Sequence, residues 1–241
     1  MAFEMKEEIL RPYRSAAIPT ALKVSIGLLM VDSVIELSFI SSMVAWLNRT
    51  VSQIVFHFDV NGSTHSLSGL PLNLLVDQGH TSNGAAGTAF VVIGLGGILS
   101  LWLRSLSQRR SGGLATFGRY LYYTWLSFNI PALLLTIGAL GYVFAVTNAR
   151  EGQSISTSLA VNLNGSPYSQ DSWTPQNWFS AVLRLDLTDR REEIQSHLTV
   201  IRGWQYNLIP MFLIQLLETA LAFADYIGWS RQSRQREVYD G

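Results

Sequence analysis

The sequence predicts an all-α membrane protein: a bundle of four transmembrane helices with a small β-containing loop domain and an interfacial amphipathic helix on the outer side. Two observations predict this fold class. The 241-residue chain is 48% apolar and only 14% charged, whereas soluble domains carry about a quarter charged residues. Four apolar runs, at 24–47, 85–103, 121–146 and 206–229, are each long enough for a helix to cross a hydrocarbon layer of about 30 Å.

These runs divide the chain into two span–loop–span units. The first unit covers residues 24–103 and the second covers residues 121–229. Residues 1–23 precede the units, residues 104–120 link them, and residues 230–241 form a tail. Basic residues concentrate in these three segments, as they do on the cytoplasmic side of membrane proteins. The sequence therefore predicts that both termini are cytoplasmic and both loops lie outside, at the plasma membrane or an endomembrane.

Sequons for N-glycosylation occur at Asn48, Asn61 and Asn164. Each has the pattern Asn-x-Ser/Thr, which marks a surface loop in a secreted or membrane protein. All three fall in the loops that the basic residues place outside. The sequence therefore predicts a glycoprotein of the eukaryotic secretory pathway, with Asn48 too close to the membrane to be modified.

The two outer loops resemble each other in sequence. FHFDVNGS (56–63) aligns with LAVNLNGS (159–166), and PLNLL (71–75) aligns with PQNWF (175–179). Alternating apolar residues followed by Asn-Gly predict a strand entering a hairpin turn, so we expect a strand in each loop. This similarity indicates an internal parallel repeat of two span–strand–turn–span units. The alternative is that two unrelated loops acquired similar turns.

The second outer loop carries an additional segment. Asp189 and Glu192 have the spacing of a capping box, which predicts an amphipathic helix over 189–202 that ends at Gly203. We expect this helix to lie on the outer membrane surface or to cap the bundle. Its apolar face carries Ile194, Leu198 and Ile201. Aromatic anchors at the outer interface are expected at Trp173, Trp178 and Trp204.

Four carboxylic acids lie inside the apolar runs, and the three that lie far from the run ends are the candidate catalytic residues. Asp32 and Glu36 are one helical turn apart in the first run, and Glu218 lies near the middle of the fourth. A charged side chain at the bilayer centre costs at least about 2.5–3.5 kcal/mol. We expect these acids to be protonated, to share protons or to bind a cation, along a seam between spans one and four. The alternatives are neutral carboxyls that hydrogen-bond across a helix interface and pairing with a basic residue of a partner protein.

The remaining polar residues form no recognisable chemical motif. The histidines are scattered without ligand spacing, and the chain has no nucleophile elbow, P-loop or dinucleotide fingerprint. It has no cysteine, which excludes thiol catalysis and thiolate metal sites. We therefore expect no metal and no cofactor, and a net charge of zero argues against a nucleic-acid partner.

A further acid, Asp225, lies near the predicted cytoplasmic end of the fourth span. Lys23 and Arg119 lie near the predicted cytoplasmic ends of spans one and three, and we expect them to lie within reach of Asp225.

The segment RGWQYNLIP (202–210), with TPQNW (174–178) before it, resembles uncharacterised four-span membrane proteins of filamentous fungi. This resemblance implies a four-span fold but no activity and no site residues. The predicted topology is also similar to that of claudin-like tetraspans. The chain lacks the cysteine pair of the claudin loop signature.

Three functions fit this sequence. The first is a non-enzymatic scaffold or accessory protein that binds other membrane proteins through its outer loops. The second is a small membrane enzyme acting on a lipophilic isoprenoid or polyketide, with Asp32, Glu36 and Glu218 as acid or base. The third is transport of protons or cations along these acids. The expected partners are the lipid bilayer and either other membrane proteins or a lipophilic small molecule.

Overall fold

The structure, a computed structural model, describes residues 13–107 and 113–240. Parts of the predicted cytoplasmic segments, at residues 1–12, 108–112 and 241, lie outside the described residues. Within the described ranges, four helices are long and apolar enough to cross a membrane. Each of them contains one of the four predicted apolar runs.

The helices follow the predicted order. A π-helical segment, Ala89–Leu95, joins the helices Asp77–Thr88 and Gly96–Ser107, and these three pieces together form the second of the long helices. In chain order the α-helices are α1 (Tyr13–Arg49), α2 (Asp77–Thr88), α3 (Gly96–Ser107), α4 (Gly113–Asn148), α5 (Thr157–Leu163), α6 (Pro175–Val182) and α7 (Arg191–Asp240).

The chain divides into two compact units, each built from segments that are distant in sequence. The bundle unit consists of residues 1–34, 86–136 and 210–241. The hairpin unit consists of residues 35–85 and 137–209. Helices α1, α4 and α7 each contribute residues to both units.

Aromatic residues of α4 form the core of the bundle unit. The rings of Tyr122 and Trp125 are buried, with their centroids 5.8 Å apart. The Trp125 indole N–H donates to the carbonyl of Ile93 in the π-helical segment, at 3.1 Å. Gly97 lies against the same indole, and a Cβ at this position would lie 3.0 Å from its ring. The core also contains Leu22, Ile26, Leu101, Leu126 and Ala222.

A β-hairpin forms in the first loop, as predicted. Strand β1 (Val55–Val60) pairs antiparallel with β2 (Ser63–Ser68). The two residues between them, Asn61 and Gly62, have φ values of 52° and 79°. Asn and Gly tolerate this left-handed conformation, which a two-residue hairpin turn requires.

The strand predicted in the second loop is wrong, because this segment forms α5. The Ser156 side chain caps α5 by accepting a hydrogen bond from the backbone N–H of Leu159. Asn164 and Gly165 have φ values of 43° and 85°, and they end the helix in a left-handed cap. The Asn-Gly pair therefore takes similar positive φ values in both loops but follows a different element in each.

The segments matched by the predicted repeat also differ further along. Residues 71–75 are non-helical, whereas the aligned residues 175–179 begin α6. The structure therefore does not show the repeat in the outer loops.

Backbone hydrogen bonds connect the first outer loop to the second in the hairpin unit. The N–H of Leu75 donates to the carbonyl of Trp173 at 2.8 Å, and the N–H of Trp173 donates to the carbonyl of Asn73 at 3.0 Å. The same kind of bond joins the N–H groups of Asp59, Thr188, Gly165 and Leu72 to the carbonyls of Asp186, His57, Ser66 and Tyr168. The two loops consequently form one folded unit.

Two tryptophans form the centre of the hairpin unit. Trp173 and Trp178 are fully buried, with ring centroids 5.3 Å apart in an edge-to-face arrangement. The Trp178 indole N–H donates to the carbonyl of Gly69 at 2.7 Å. The prediction that these residues and Trp204 act as interfacial anchors is wrong, because all three are buried inside the protein.

The separate surface helix predicted at 189–202 is also wrong. Helix α7 continues without a break through Gly203. A Cβ at Gly203 would lie 3.2 Å from the ring of Phe39, so this glycine permits close packing on α1 and does not end a helix. The predicted apolar face is nevertheless buried, at Ile194, Leu198 and Ile201.

Asp189 does not form the predicted capping box. Its carboxylate accepts a hydrogen bond from the backbone N–H of His57 at 3.2 Å, and its other oxygen lies 3.2 Å from Nδ1 of the His57 ring. Arg190 follows with a φ of 54°, and the helix begins only at the next residue. The carboxylate therefore fastens the start of α7 to β1.

Candidate functional site

The three candidate acids lie in different surroundings. Asp32, on α1 in the bundle unit, is 9% exposed, and its Oδ2 has no hydrogen-bond partner among the described residues. The hydroxyl of the adjacent Ser33 donates to the carbonyl of Leu29 within the helix, at 2.7 Å. Asp32 is thus a buried acid with unused hydrogen-bonding capacity.

Glu218, on α7 in the bundle unit, is fully buried. Neither carboxyl oxygen meets the geometry of a hydrogen bond with any residue that the structure describes. The hydroxyl of Thr219 lies close to this carboxyl, but its oxygen also has no hydrogen-bond partner among the residues that the structure describes. Most buried polar groups in proteins are paired. Glu218 has two unpaired carboxyl oxygens, more than any other described side chain of the bundle unit.

Other buried polar groups of the bundle unit are only partly satisfied. The Oε1 atom of Gln215 accepts a hydrogen bond from Thr136 at 2.5 Å, while its Nε2 has no partner in the described ranges. Asn129 donates to the carbonyl of Trp125 at 3.0 Å, while its Oδ1 has no described partner. The Ser100 hydroxyl is likewise unpaired there. A buried water molecule could satisfy each of these groups.

Glu36, on α1 in the hairpin unit, is fully buried and engaged. The side-chain amide of Asn207 on α7 donates to its Oε2 at 3.0 Å. This bond joins α1 to α7, the two helices that the sequence predicts to meet along an acid-bearing seam. At Glu36 the contact has the form of a hydrogen bond across a helix interface.

Asp225 is paired with a residue that the sequence reasoning missed. Its Oδ2 accepts hydrogen bonds from Arg104 at 2.5 Å and from the Tyr122 hydroxyl at 2.9 Å. The Arg104 guanidinium also lies over the Tyr122 ring, 4.3 Å from its centroid, which adds a cation–π interaction. The expected partners were Lys23 and Arg119. Sequence position could have indicated this pair, because Arg104 and Asp225 each lie within five residues of a span end that is predicted to be cytoplasmic.

The sequons occupy different backbone settings. Asn61 is exposed at the hairpin turn, and Asn164 is exposed at the C-terminus of α5. Asn48 is exposed but lies within the last turn of α1. Asn61 and Asn164 are therefore the more accessible acceptors.

A cavity of about 590 Å³ opens in the hairpin unit. Residues 40–49 of α1, the loop residues 70–76 and the first turns of α2 contribute to its lining. None of Asp32, Glu36 and Glu218 lines it.

Within residues 13–107 and 113–240, no group of three or more His, Asp or Glu side chains is close enough to hold a metal ion. Comparisons with protein families, with characterised proteins and with solved structures give no match.

Proposed function

We propose that the chain is a multi-pass membrane protein that acts as a non-enzymatic scaffold or accessory subunit, binding another membrane protein through its hairpin unit. The observation that carries this proposal is the set of backbone hydrogen bonds joining residues 57–75 to residues 165–188. Ordering a loop costs about 1–2 kcal/mol of backbone entropy per residue, and long ordered loops on a rigid scaffold usually have a function.

In this proposal both termini are cytoplasmic and the hairpin unit lies outside, at the plasma membrane or an endomembrane. The exposed sequons at Asn61 and Asn164 support this orientation, because both lie in the unit that it places outside. The resemblance to four-span proteins of filamentous fungi stays a prediction.

The surroundings of the acids favour binding over catalysis on a lipophilic substrate. An acid catalyst must reach the substrate, yet the cavity in the hairpin unit is lined by none of the three candidate acids. Glu36 is instead held by Asn207. Its surroundings are those of a residue that stabilises a helix interface.

Proton or cation binding is a second candidate function, and one observation favours it. Glu218 has two buried oxygens without a hydrogen-bond partner among the described residues. A proton, a water molecule or a cation would satisfy them. Asp32 lies in the same unit and also has a buried oxygen without a described partner.

Site-specific photo-crosslinking tests the accessory function. A photoreactive amino acid replaces Leu72, which is 65% exposed in the hairpin unit, or Leu134, which is 63% exposed on α4 in the bundle unit. Irradiation of intact membranes should give one discrete protein adduct at position 72 and only weak or diffuse labelling at position 134. The crosslinked protein should then co-purify with the untagged wild-type chain at a fixed stoichiometry.

Substitution of the acids separates the candidate functions. If the chain is an accessory protein, Glu36→Gln and Glu218→Gln leave the adduct at position 72 and the stability of the crosslinked partner unchanged. Loss of a proton or cation flux in Glu218→Gln vesicles, with the fold and the adduct preserved, would favour the second function. Equal labelling at positions 72 and 134 would reject the accessory proposal.

A further inference from the structure

The cavity of the hairpin unit has a predominantly apolar lining. Ile40, Met43 and Leu47 of α1 are buried along it, and Leu74 and Leu75 lie half-buried in the loop that borders it. Its volume of about 590 Å³ lies within the range of about 300–1,000 Å³ that is typical of small-molecule sites. It lies at one end of two helices that are long and apolar enough to cross a membrane.

One polar side chain in this lining is buried without its full set of partners. Gln78, in the first turn of α2, is 2% exposed. Its Oε1 has no hydrogen-bond partner among the residues that the structure describes. A buried amide oxygen can only accept, so it requires a donor. The basic residues of the lining, Arg49 and His80, are exposed.

We propose that this cavity binds one neutral membrane lipid that carries a hydroxyl group. The apolar body of the lipid packs on α1, and its hydroxyl donates to Oε1 of Gln78. An anionic head group would place further acceptors beside an oxygen that needs a donor. A protein partner normally buries about 800 Å² on each side, whereas this cavity has the size of a small-molecule site. The inference rests on the membrane placement proposed above, but not on the accessory function.

Two glycines of α2 provide a matched pair of variants. Gly79 lines the cavity and is buried, whereas Gly84 lies outside the lining and is exposed on the same helix. A Cβ at either position would meet no atom within 4 Å. Gly79→Leu therefore fills the cavity with a side chain, and Gly84→Leu adds the same side chain to the same helix elsewhere. Both changes raise helix propensity by a similar amount.

The experiment uses a photoactivatable sterol and its ketone counterpart, in which the hydroxyl is replaced by a carbonyl. The full-length protein in native membranes should be labelled by the hydroxyl probe, with competition by excess unlabelled sterol. Gly79→Leu should reduce this labelling at least about tenfold, and Gly84→Leu should leave it unchanged. The ketone should label the wild type about twofold to tenfold less, the range expected for one hydrogen bond.

Gln78→Leu is the second variant, since it tests the hydroxyl contact without filling the cavity. It should label equally with both probes, and the labelled peptide should come from residues 40–49 or 70–83. Labelling that persists in Gly79→Leu, or that excess sterol does not compete, would overturn the proposal. So would equal labelling by a photoactivatable phospholipid, or crosslinking of the cavity residues to another protein. None of these results requires loss of the protein adduct at Leu72, so failure of this site is distinguishable from failure of the accessory function.

Discussion

The side-chain amide of Asn207 on α7 donates a hydrogen bond to the buried carboxyl of Glu36 on α1, at 3.0 Å. An acid in the middle of an apolar run is expensive to bury, and a hydrogen bond to its oxygen offsets part of that cost. The same bond fixes the position of α7 against α1 within the hairpin unit. This arrangement gives Glu36 a structural role that can be measured.

Two replacements of Glu36 should separate the contribution of its hydrogen-bond acceptor to stability from the contribution of its charge. Glu36→Gln keeps an oxygen that accepts from Asn207, and we expect little change in the free energy of unfolding. Glu36→Leu leaves the half-buried amide of Asn207 without this acceptor, and it should destabilise the protein by about 1–3 kcal/mol. Unfolding of the purified protein in mixed micelles measures both values.

The double variant Glu36→Leu/Asn207→Leu provides the control for this contact. If the bond couples the two residues, the double variant loses less stability than the sum of the two single variants. Additive losses would show that the bond contributes nothing measurable, and that Glu36 is buried for another reason.

The pair formed by Arg104 and Asp225 should be strongly coupled. Their side chains are only 12% and 4% exposed, so removing one partner leaves a buried charge. We expect Arg104→Met or Asp225→Leu alone to cost about 3–5 kcal/mol of stability, and the double variant to cost far less. Arg119→Met is the matched control, because Arg119 is an exposed arginine in the same predicted cytoplasmic link, 104–120, as Arg104.

Chemical or thermal unfolding of the four variants in one detergent measures this coupling. A loss in Arg119→Met as large as that in Arg104→Met would restore the original expectation that Arg119 neutralises Asp225. Equal stability of both single variants and the wild type would show that the pair is not important for the fold.

The sequence was sufficient to predict the four long helices, because each apolar run exceeds the length that a spanning helix needs. It was also sufficient for the first hairpin, because alternation and Asn61-Gly62 indicate the same element. It failed for the second loop, where Asn164-Gly165 has similar positive φ values at the end of a helix. A dipeptide that favours positive φ identifies a backbone conformation, and the element before it depends on contacts made elsewhere.

Tertiary contacts explain the other differences between the predicted and the observed structure. Gly203 looks like a helix terminator in the sequence, but it accommodates the ring of Phe39 inside a continuous helix. Asp189 looks like a helix cap, but its carboxylate binds His57, 132 residues away in the chain. The candidate acids were identified from hydropathy alone. Their individual partners depend on side-chain geometry that the pattern of residues does not contain.

The sequons test the predicted orientation of the hairpin unit. We expect a glycan at Asn61, which is exposed at a turn, and at Asn164, which follows α5. Asn48 lies in the last turn of α1, which the predicted topology places close to the membrane, and it should remain unmodified. Expression in a eukaryotic cell with Asn→Gln variants, followed by endoglycosidase treatment and electrophoresis, measures each site. A glycan on a sequon introduced into the 104–120 link would reverse the predicted topology.

The contact between Asp189 and His57 should make the hairpin unit sensitive to acid. Burial alone would raise the pKa of Asp189. Hydrogen bonds from the His57 ring and backbone, together with electrostatic attraction to His57 and Arg190, instead lower this pKa below its ordinary value of 3.8. Because the folded state holds this proton less tightly than the unfolded state, the contact stabilises the fold above the ordinary pKa. That stabilisation is lost as the pH falls through the lower, folded-state pKa. The side chains of His57 and Asp189 are 43% and 37% exposed, so solvent screens the pair and the effect should be local and modest.

Hydrogen exchange of the β1 peptide between pH 5 and about pH 3 measures this effect, after correction for the intrinsic exchange rate. The amide of His57, which donates to Asp189, should lose protection as the pH falls in the wild type. In Asp189→Asn the protection should be lower at pH 5 and nearly independent of pH. Asp171→Asn removes an exposed carboxylate of the same unit at another positive-φ position, and it should behave like the wild type. An Asp189→Asn protein that retains the wild-type pH dependence would show that another group controls the opening of β1.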